Sequence, residues 1–113
     1  MAAIVIKRGD TLLISGVYKQ SNASPMNLTG YQLEVNIMNA NTDKSVITVI
    51  AGVSTANRSL TIENAVAGQF KLMVKDTEVL RDTDYYIDFK ITDDSGIEQT
   101  SKAIKLSVKT RLV

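Results

Sequence analysis

A chain of 113 residues fits one domain, read as residues 1–113, and at that length about two-thirds of the unfolded chain's surface can be buried without a covalent staple. With no cysteine and no histidine, a disulfide framework, a thiolate metal site, the usual zinc ligand, the usual general base and the usual pH switch are all excluded. Thirteen Lys and Arg against twelve Asp and Glu leave a net charge of +1, scattered along the chain, so there is no basic footprint for DNA or RNA.

In chain order, MAAIVIKRGDTLLI carries no basic region ahead of its apolar residues, and its first apolar run stops at Lys7. That run is too short for a signal peptide or a membrane span, which predicts a protein made and kept in the cytosol. TLLISGVY has apolar residues on both parities and predicts a strand that is either buried on both faces or bent, with Gly16 as a candidate bulge. SNASPMNLTG is a turn segment. In YQLEVNIM, Tyr31, Leu33, Val35 and Ile37 alternate with Gln32, Glu34 and Asn36, the pattern of a strand with one buried face. After the NANTDK turn, SVITVIAGV is again apolar on both parities, with Gly52 as a second candidate bulge.

Beyond STANR, Leu60 and Ile62 alternate with Ser59, Thr61 and Glu63, and beyond AVAG, Phe70, Leu72 and Val74 alternate with Lys71, Met73 and Lys75. A single helical turn is predicted near Glu63 to Ala67 or near Asp76 to Leu80. Tyr85, Ile87, Phe89 and Ile91 then fall on one face, with Tyr86, Asp88, Lys90 and Thr92 on the other. In the last strand Ile104, Leu106 and Val108 alternate with Lys105, Ser107 and Lys109. Odd core positions facing even ones in an antiparallel hairpin need a connection of even length, and Asp93-Asp94-Ser95-Gly96 supplies it, with Gly96 taking positive φ. Seven to eight short strands joined by polar turns predict an all-β antiparallel sandwich, with a small barrel of the OB type as the structural alternative.

The stretch LRDTDYYIDFKITDDSG concentrates five aspartates. Parity turns Asp88 outward, and the hairpin accounts for Asp93 and Asp94. Asp82 and Asp84 form a D-x-D before the strand, a calcium cue, but counting from Asp82 places Ile87 where a calcium loop has its turning Gly. The expectation is no metal and no cofactor, with a site completed by another loop as the alternative. No spacing singles out a Ser/Lys dyad or a carboxylate pair, so no catalytic residue is assigned and the protein is expected not to be an enzyme. Asn22-Ala-Ser24, Asn27-Leu-Thr29 and Asn57-Arg-Ser59 match the glycosylation triplet, but without a secretory signal they are read as composition.

The L-x-D-x-D-x-Y register from Leu80 to Tyr86 is similar to the tyrosine corner of immunoglobulin domains. In that register Asp88 stands at the position of the second immunoglobulin cysteine, while parity favours Tyr85 over Tyr86 as the core residue. GDTLLI, PMNLTGYQLEVNI, AGQFKLMV and DYYIDFKITDDSGIEQTSKAIKLSV together resemble one family over most of the chain. That family is the immunoglobulin-like β-sandwich at the N-terminus of bacteriophage upper-baseplate and tail-fibre proteins. Locally, Pro25 fixes φ at a loop entry, Gly30 frees the backbone at its exit, and Leu28 between them plugs the end of the sandwich.

The resemblance implies a virion structural protein of the tail, baseplate, neck or head surface, made in the host cytoplasm, with other phage structural proteins as partners and copies of itself in the particle. The family domain usually has a receptor-binding or fibre region behind it, which a chain ending at Val113 is not expected to carry. The rival reading is a surface glycan-binding or adhesion module. Against it, there is no Trp, and Tyr31, Phe70, Tyr85 and Phe89 lie on core parities, which leaves Tyr18 and Tyr86 as candidate exposed rings. Met38, Met73, Val5, Leu13 and Val17 exceed what one sandwich core takes, and are expected to form contacts between proteins unless the first strands are covered on both faces within the monomer.

Overall fold

The computed structural model describes residues 3–19, 24–53, 55–100 and 104–109. Nine strands make up nearly all of the regular structure: β1 (Ala3–Lys7), β2 (Leu12–Val17), β3 (Gln32–Asn39), β4 (Ser45–Ile50), β5 (Arg58–Asn64), β6 (Gln69–Val74), β7 (Asp84–Thr92), β8 (Glu98–Thr100) and β9 (Ile104–Lys109). The predicted single helical turn is a 3₁₀ turn at Thr77–Val79. One sheet has the order β1-β9-β7-β3-β4, with β8 also paired to β7, and the other has the order β2-β6-β5. The pairings are antiparallel except β1 with β9, which is parallel. The all-β sandwich is thus as the period-two pattern predicts, with one strand more than the expected seven to eight.

The core lies between the sheets and is built from the predicted parities. Leu33, Val35, Ile37, Ile87, Phe89, Ile91, Leu106 and Val108 face Leu12, Ile14, Leu60, Phe70, Leu72 and Val74, all buried. Phe70 and Phe89 meet across the layers with ring centroids 5.0 Å apart at 45°, an arrangement that avoids stacking two negative ring faces.

Three local expectations are corrected. Gly16 is not a bulge: it pairs with Phe70 in an unshifted β2–β6 ladder, and a Cβ there would come within 3.0 Å of the Phe70 ring, so Gly serves a close approach. Gly52 sits instead in the turn after β4 with φ +86°, while the register shifts fall at Ile37/Met38 and Ile62/Asn64. β2 is not covered on both faces: Leu12 and Ile14 are buried, but Leu13 is 56% exposed and Val17 38%.

The last hairpin also differs. Asp93 donates its N–H to the Ile97 carbonyl at 3.0 Å, and its Oδ1 accepts from the N–H groups of Ser95 and Ile97, so the loop closes at Ile97 and not at Gly96. This odd-length loop sets Ile91 opposite Gln99, odd against odd. Tyr85 nevertheless lies opposite Leu106, because β9 is offset by one residue from the register of β8. The parity change inferred for the loop is made by that offset.

Candidate functional site

Asp84 is tied down locally, its Oδ1 accepting from Ser107 Oγ at 2.9 Å and its Oδ2 3.9 Å from Lys105 Nζ. Asp93 is the turn residue described above, and Asp94 is exposed in the same loop. Asp88 is half-buried on the outer face opposite Asn36, and burial raises its carboxyl above the usual range. Among the described residues no three acidic side chains converge on a point where a cation could sit. The five aspartates are therefore spread along a strand and two loops, and Asp82 and Asp84 are not brought together with a third carboxylate.

Of the two adjacent tyrosines Tyr85 is the core residue, as parity favours. Its ring is buried and its Oη accepts the Arg81 N–H at 2.8 Å, back along the chain, so Ile87, fully buried, takes the place two residues on. Tyr86 points outward as parity requires and donates to Asp43 Oδ1 at 2.5 Å. That hydrogen bond holds the Tyr86 hydroxyl in its neutral form, its pKa pushed up to about 12. Asp43 takes φ +55° in the β3–β4 hairpin.

The two ends of the sandwich are closed by contacts between residues distant in sequence. At one end the Gly9-Asp10 turn is clasped to the 3₁₀ turn: Gly9 N–H donates to the buried Thr77 Oγ1 at 2.9 Å, and Thr77 donates to the Asp10 carbonyl. Arg8 Nε reaches the Leu80 carbonyl at 2.7 Å. Arg58 makes a two-pronged contact to Asp76, Nη2 to Oδ2 at 2.8 Å and Nε at 3.1 Å, which holds the Asp76 carboxyl below its usual range. At the other end Leu28 is buried as the predicted plug, its N–H bonded to the Ala65 carbonyl at 2.7 Å. Gly68 lies against Met26 and Tyr18 so closely that a Cβ would sit 2.6 and 2.8 Å from their carbonyl oxygens. GDT, PMNLTG and AGQF thus have structural work at these ends.

The outer face of the larger sheet is zipped by polar groups. Lys90 Nζ bridges Glu98 at 2.8 Å and Glu34 at 3.2 Å, and the hydrogen bonds to Glu98 and then Glu34 raise its pKa. Asn36 continues the row, donating to Glu34 at 2.9 Å and accepting from Thr48 Oγ1 at 2.7 Å. The outer face of the smaller sheet differs: Leu13 stands opposite Met73, with Val17 further along the same edge strand. Val5 is also exposed, on β1. All six aromatic rings are accounted for, with Tyr18, Phe70, Tyr85 and Phe89 buried and Tyr31 and Tyr86 half-buried.

Two open clefts lie on the side where β4 and β5 meet. One, of about 370 Å³, is lined by Tyr31, Gln32, Gly52, Leu60 and Thr61, and the other, of about 250 Å³, by Thr48, Ile50, Thr55, Arg58 and Asp76. In the second the charged groups among the described residues, Arg58 and Asp76, already neutralise each other. Neither assembles a nucleophile, a base and an oxyanion donor among the described residues.

The chain is, by its fold, an all-β sandwich whose closed ends leave strand edges and outer faces as its accessible features. It is similar over 96% of its length to the N-terminal domain of phage TP901-1 ORF48, at 18% identity and a TM-score of 0.62, and covers 85% of that chain. No protein-family model and no curated protein matches the chain.

Proposed function

We propose that this protein is a non-enzymatic structural component of a bacteriophage or prophage virion, of the tail, baseplate, neck or head surface, acting through protein–protein contacts. The observation that carries the reading is the fold likeness to a phage protein's N-terminal domain across 96% of the chain. The four motif stretches that resemble the upper-baseplate and tail-fibre domain add to it, since three of them close the ends of the sandwich and the fourth supplies the tyrosine corner and the hairpin.

The immunoglobulin-like reading is supported by strand order. Lettered as in that fold, β2-β6-β5 corresponds to strands B, E and D, and β9-β7-β3-β4 to G, F, C and C′. The Tyr85–Arg81 bond lies at the start of the strand that corresponds to F. Five of the six aromatic rings are buried or, like Tyr86, tethered, which weighs against a glycan platform; Tyr31, half-buried beside a cleft, is the exception.

The test is mass spectrometry of purified particles from a culture that carries the gene, with recombinant protein assayed in parallel on a glycan array. Stoichiometric presence in the virion supports the reading. Absence from particles together with saturable glycan binding overturns it in favour of the adhesion module.

A further inference from the structure

We propose that two copies of this protein pair through the free edge of β2, antiparallel and centred on Ser15, to form a continuous six-stranded sheet across a two-fold axis. The starting point is the state of the outer strands β1, β4, β2 and β5, with the three-residue β8, which pairs with β7 and carries Glu98. Natural sheets guard such edges with charges, proline or bulges, because their unpaired backbone groups would otherwise accept another strand. β1 ends on Lys7, and β5 carries Arg58 and Glu63. β4 is uncharged, but the Ile50 carbonyl already takes the Val53 N–H at 3.0 Å, and Val53, Thr55 and Asn57 wall a cleft beside Thr48 and Ile50. β2, LLISGV, has no charge, no proline and no register shift.

Hydrogen-bond parity says which groups are free. Tyr18 donates to the Gly68 carbonyl at 2.8 Å, which makes the even-numbered residues of β2 the ones bonded to β6. Leu13, Ser15 and Val17 therefore point their N–H and C=O groups away from the sheet, and among the described residues nothing bonds to them. Their side chains lie on the outer face, where Leu13 is 56% exposed and Val17 38%.

The occupant that fits is a second copy, because this edge is complementary to itself. An antiparallel pair about Ser15 keeps nearly the whole of β2 overlapped and sets every free odd residue against a free odd residue. Ser15 faces Ser15, and Leu13 of each copy faces Val17 of the other, with Met73 alongside Leu13. Each copy then presents the same patch, as a two-fold contact requires. Centring on Leu13 satisfies the same parity but leaves Val17 beyond the strand.

The test is sedimentation of wild type, Leu13→Glu, Val17→Lys and an equal mixture of the two variants. Both side chains are exposed and on one face but four residues apart, so each variant keeps the monomer, checked by its melt, and cannot pair its new charge with the other position in its own chain. Wild type is expected to dimerise reversibly, and each variant to raise the dissociation constant at least about tenfold. The mixture is expected to restore a dimer, because the carboxylate introduced in one variant then lies opposite the ammonium introduced in the other. A wild type that stays monomeric to about 1 mM, variants that dimerise like wild type, or a mixture that restores nothing would each overturn the proposal. The assay reads self-association alone, so its failure leaves the virion reading untouched, and absence from virions leaves this pairing untouched.

Discussion

Gly68→Ala tests the seam that closes one end of the sandwich. Gly68 is buried with φ +68°, and a methyl group there would lie 2.6 Å from the Met26 carbonyl oxygen and 2.8 Å from that of Tyr18. Both neighbours are held by hydrogen bonds at this seam: the Tyr18 carbonyl accepts from Met26 N–H at 2.9 Å, and the Tyr18 N–H donates to the Gly68 carbonyl at 2.8 Å. The left-handed backbone alone costs an alanine about 1 kcal/mol, and pushing Tyr18 and Met26 away adds about 1 kcal/mol for each of the two seam hydrogen bonds weakened, Met26 to Tyr18 and Tyr18 to Gly68. The sum is about 3 kcal/mol, a large share of a small domain's stability. Gly30→Ala is the control, because Gly30 has φ +83° but open space where its Cβ would go, so it should lose only the backbone part, about 1 kcal/mol. In thermal melts the difference of about 2 kcal/mol separates the two variants by about 10 °C. Equal losses would refute the close packing of β6's entry against Tyr18 and Met26, and with it the structural account of the AGQF motif.

Ile87→Asp buries an unpaired charge at a fully buried core position and should cost about 4 kcal/mol or more, whereas Asp88→Asn should change stability by under about 0.5 kcal/mol. Because burial raises the Asp88 carboxyl in the folded state, wild type loses a little stability as pH rises through its titration, so any small gain of the Asn variant should appear at neutral pH and vanish in acid melts. Asp76 has the opposite sign: its folded value is held below 3.8 by Arg58, so the stability it contributes is complete above the unfolded value and lost as pH falls through the lower folded one. Asp76→Asn should therefore be about 1–2 kcal/mol less stable than wild type at pH 7, with the gap closing in melts taken below about pH 4. Treatment with a divalent-ion chelator should leave the melting temperature unchanged, and a drop reversed by calcium would revive a site at Asp82 and Asp84.

What the sequence made legible was the inside of the sandwich. Strict alternation in YQLEVNIM and in DYYIDFKI places Leu33, Val35, Ile37, Tyr85, Ile87 and Phe89 correctly, because a strand with one buried face has no other way to satisfy a period of two. Alternation failed where it was absent. In TLLISGVY and SVITVIAGV the apolar residues on the second parity face solvent on edge strands, and no local pattern distinguishes a doubly buried strand from an edge strand with an uncovered outer face. Length parity misread the last hairpin because an offset between paired strands is a property of the ladder and not of the loop. The Arg8–Leu80 and Arg58–Asp76 clasps join residues that are neighbours only after the sheets have packed, so no spacing along the chain announces them.

The two outer faces of this sandwich are chemically unlike, and that difference bears on how it works. On the larger sheet Glu34, Asn36, Thr48, Lys90 and Glu98 satisfy one another across neighbouring strands, so a partner docking there would have to displace bonds already made. On the smaller sheet Leu13, Met73 and Val17 offer apolar surface at the β2 edge, beside backbone donors and acceptors that no described residue occupies, while Thr61, Glu63, Gln69 and Lys71 keep the rest of that face polar. Covering the β2 edge with a strand that bonds those backbone groups therefore gains apolar burial without breaking a bond within the protein. A sandwich with clasped ends, one outer face cross-linked by polar pairs and one unguarded edge is suited to being held in a fixed orientation through that edge. Under the virion role proposed above, contacts in a particle are expected first on β2 and β6, and crosslinks from assembled particles should map to Lys71 ahead of Lys90.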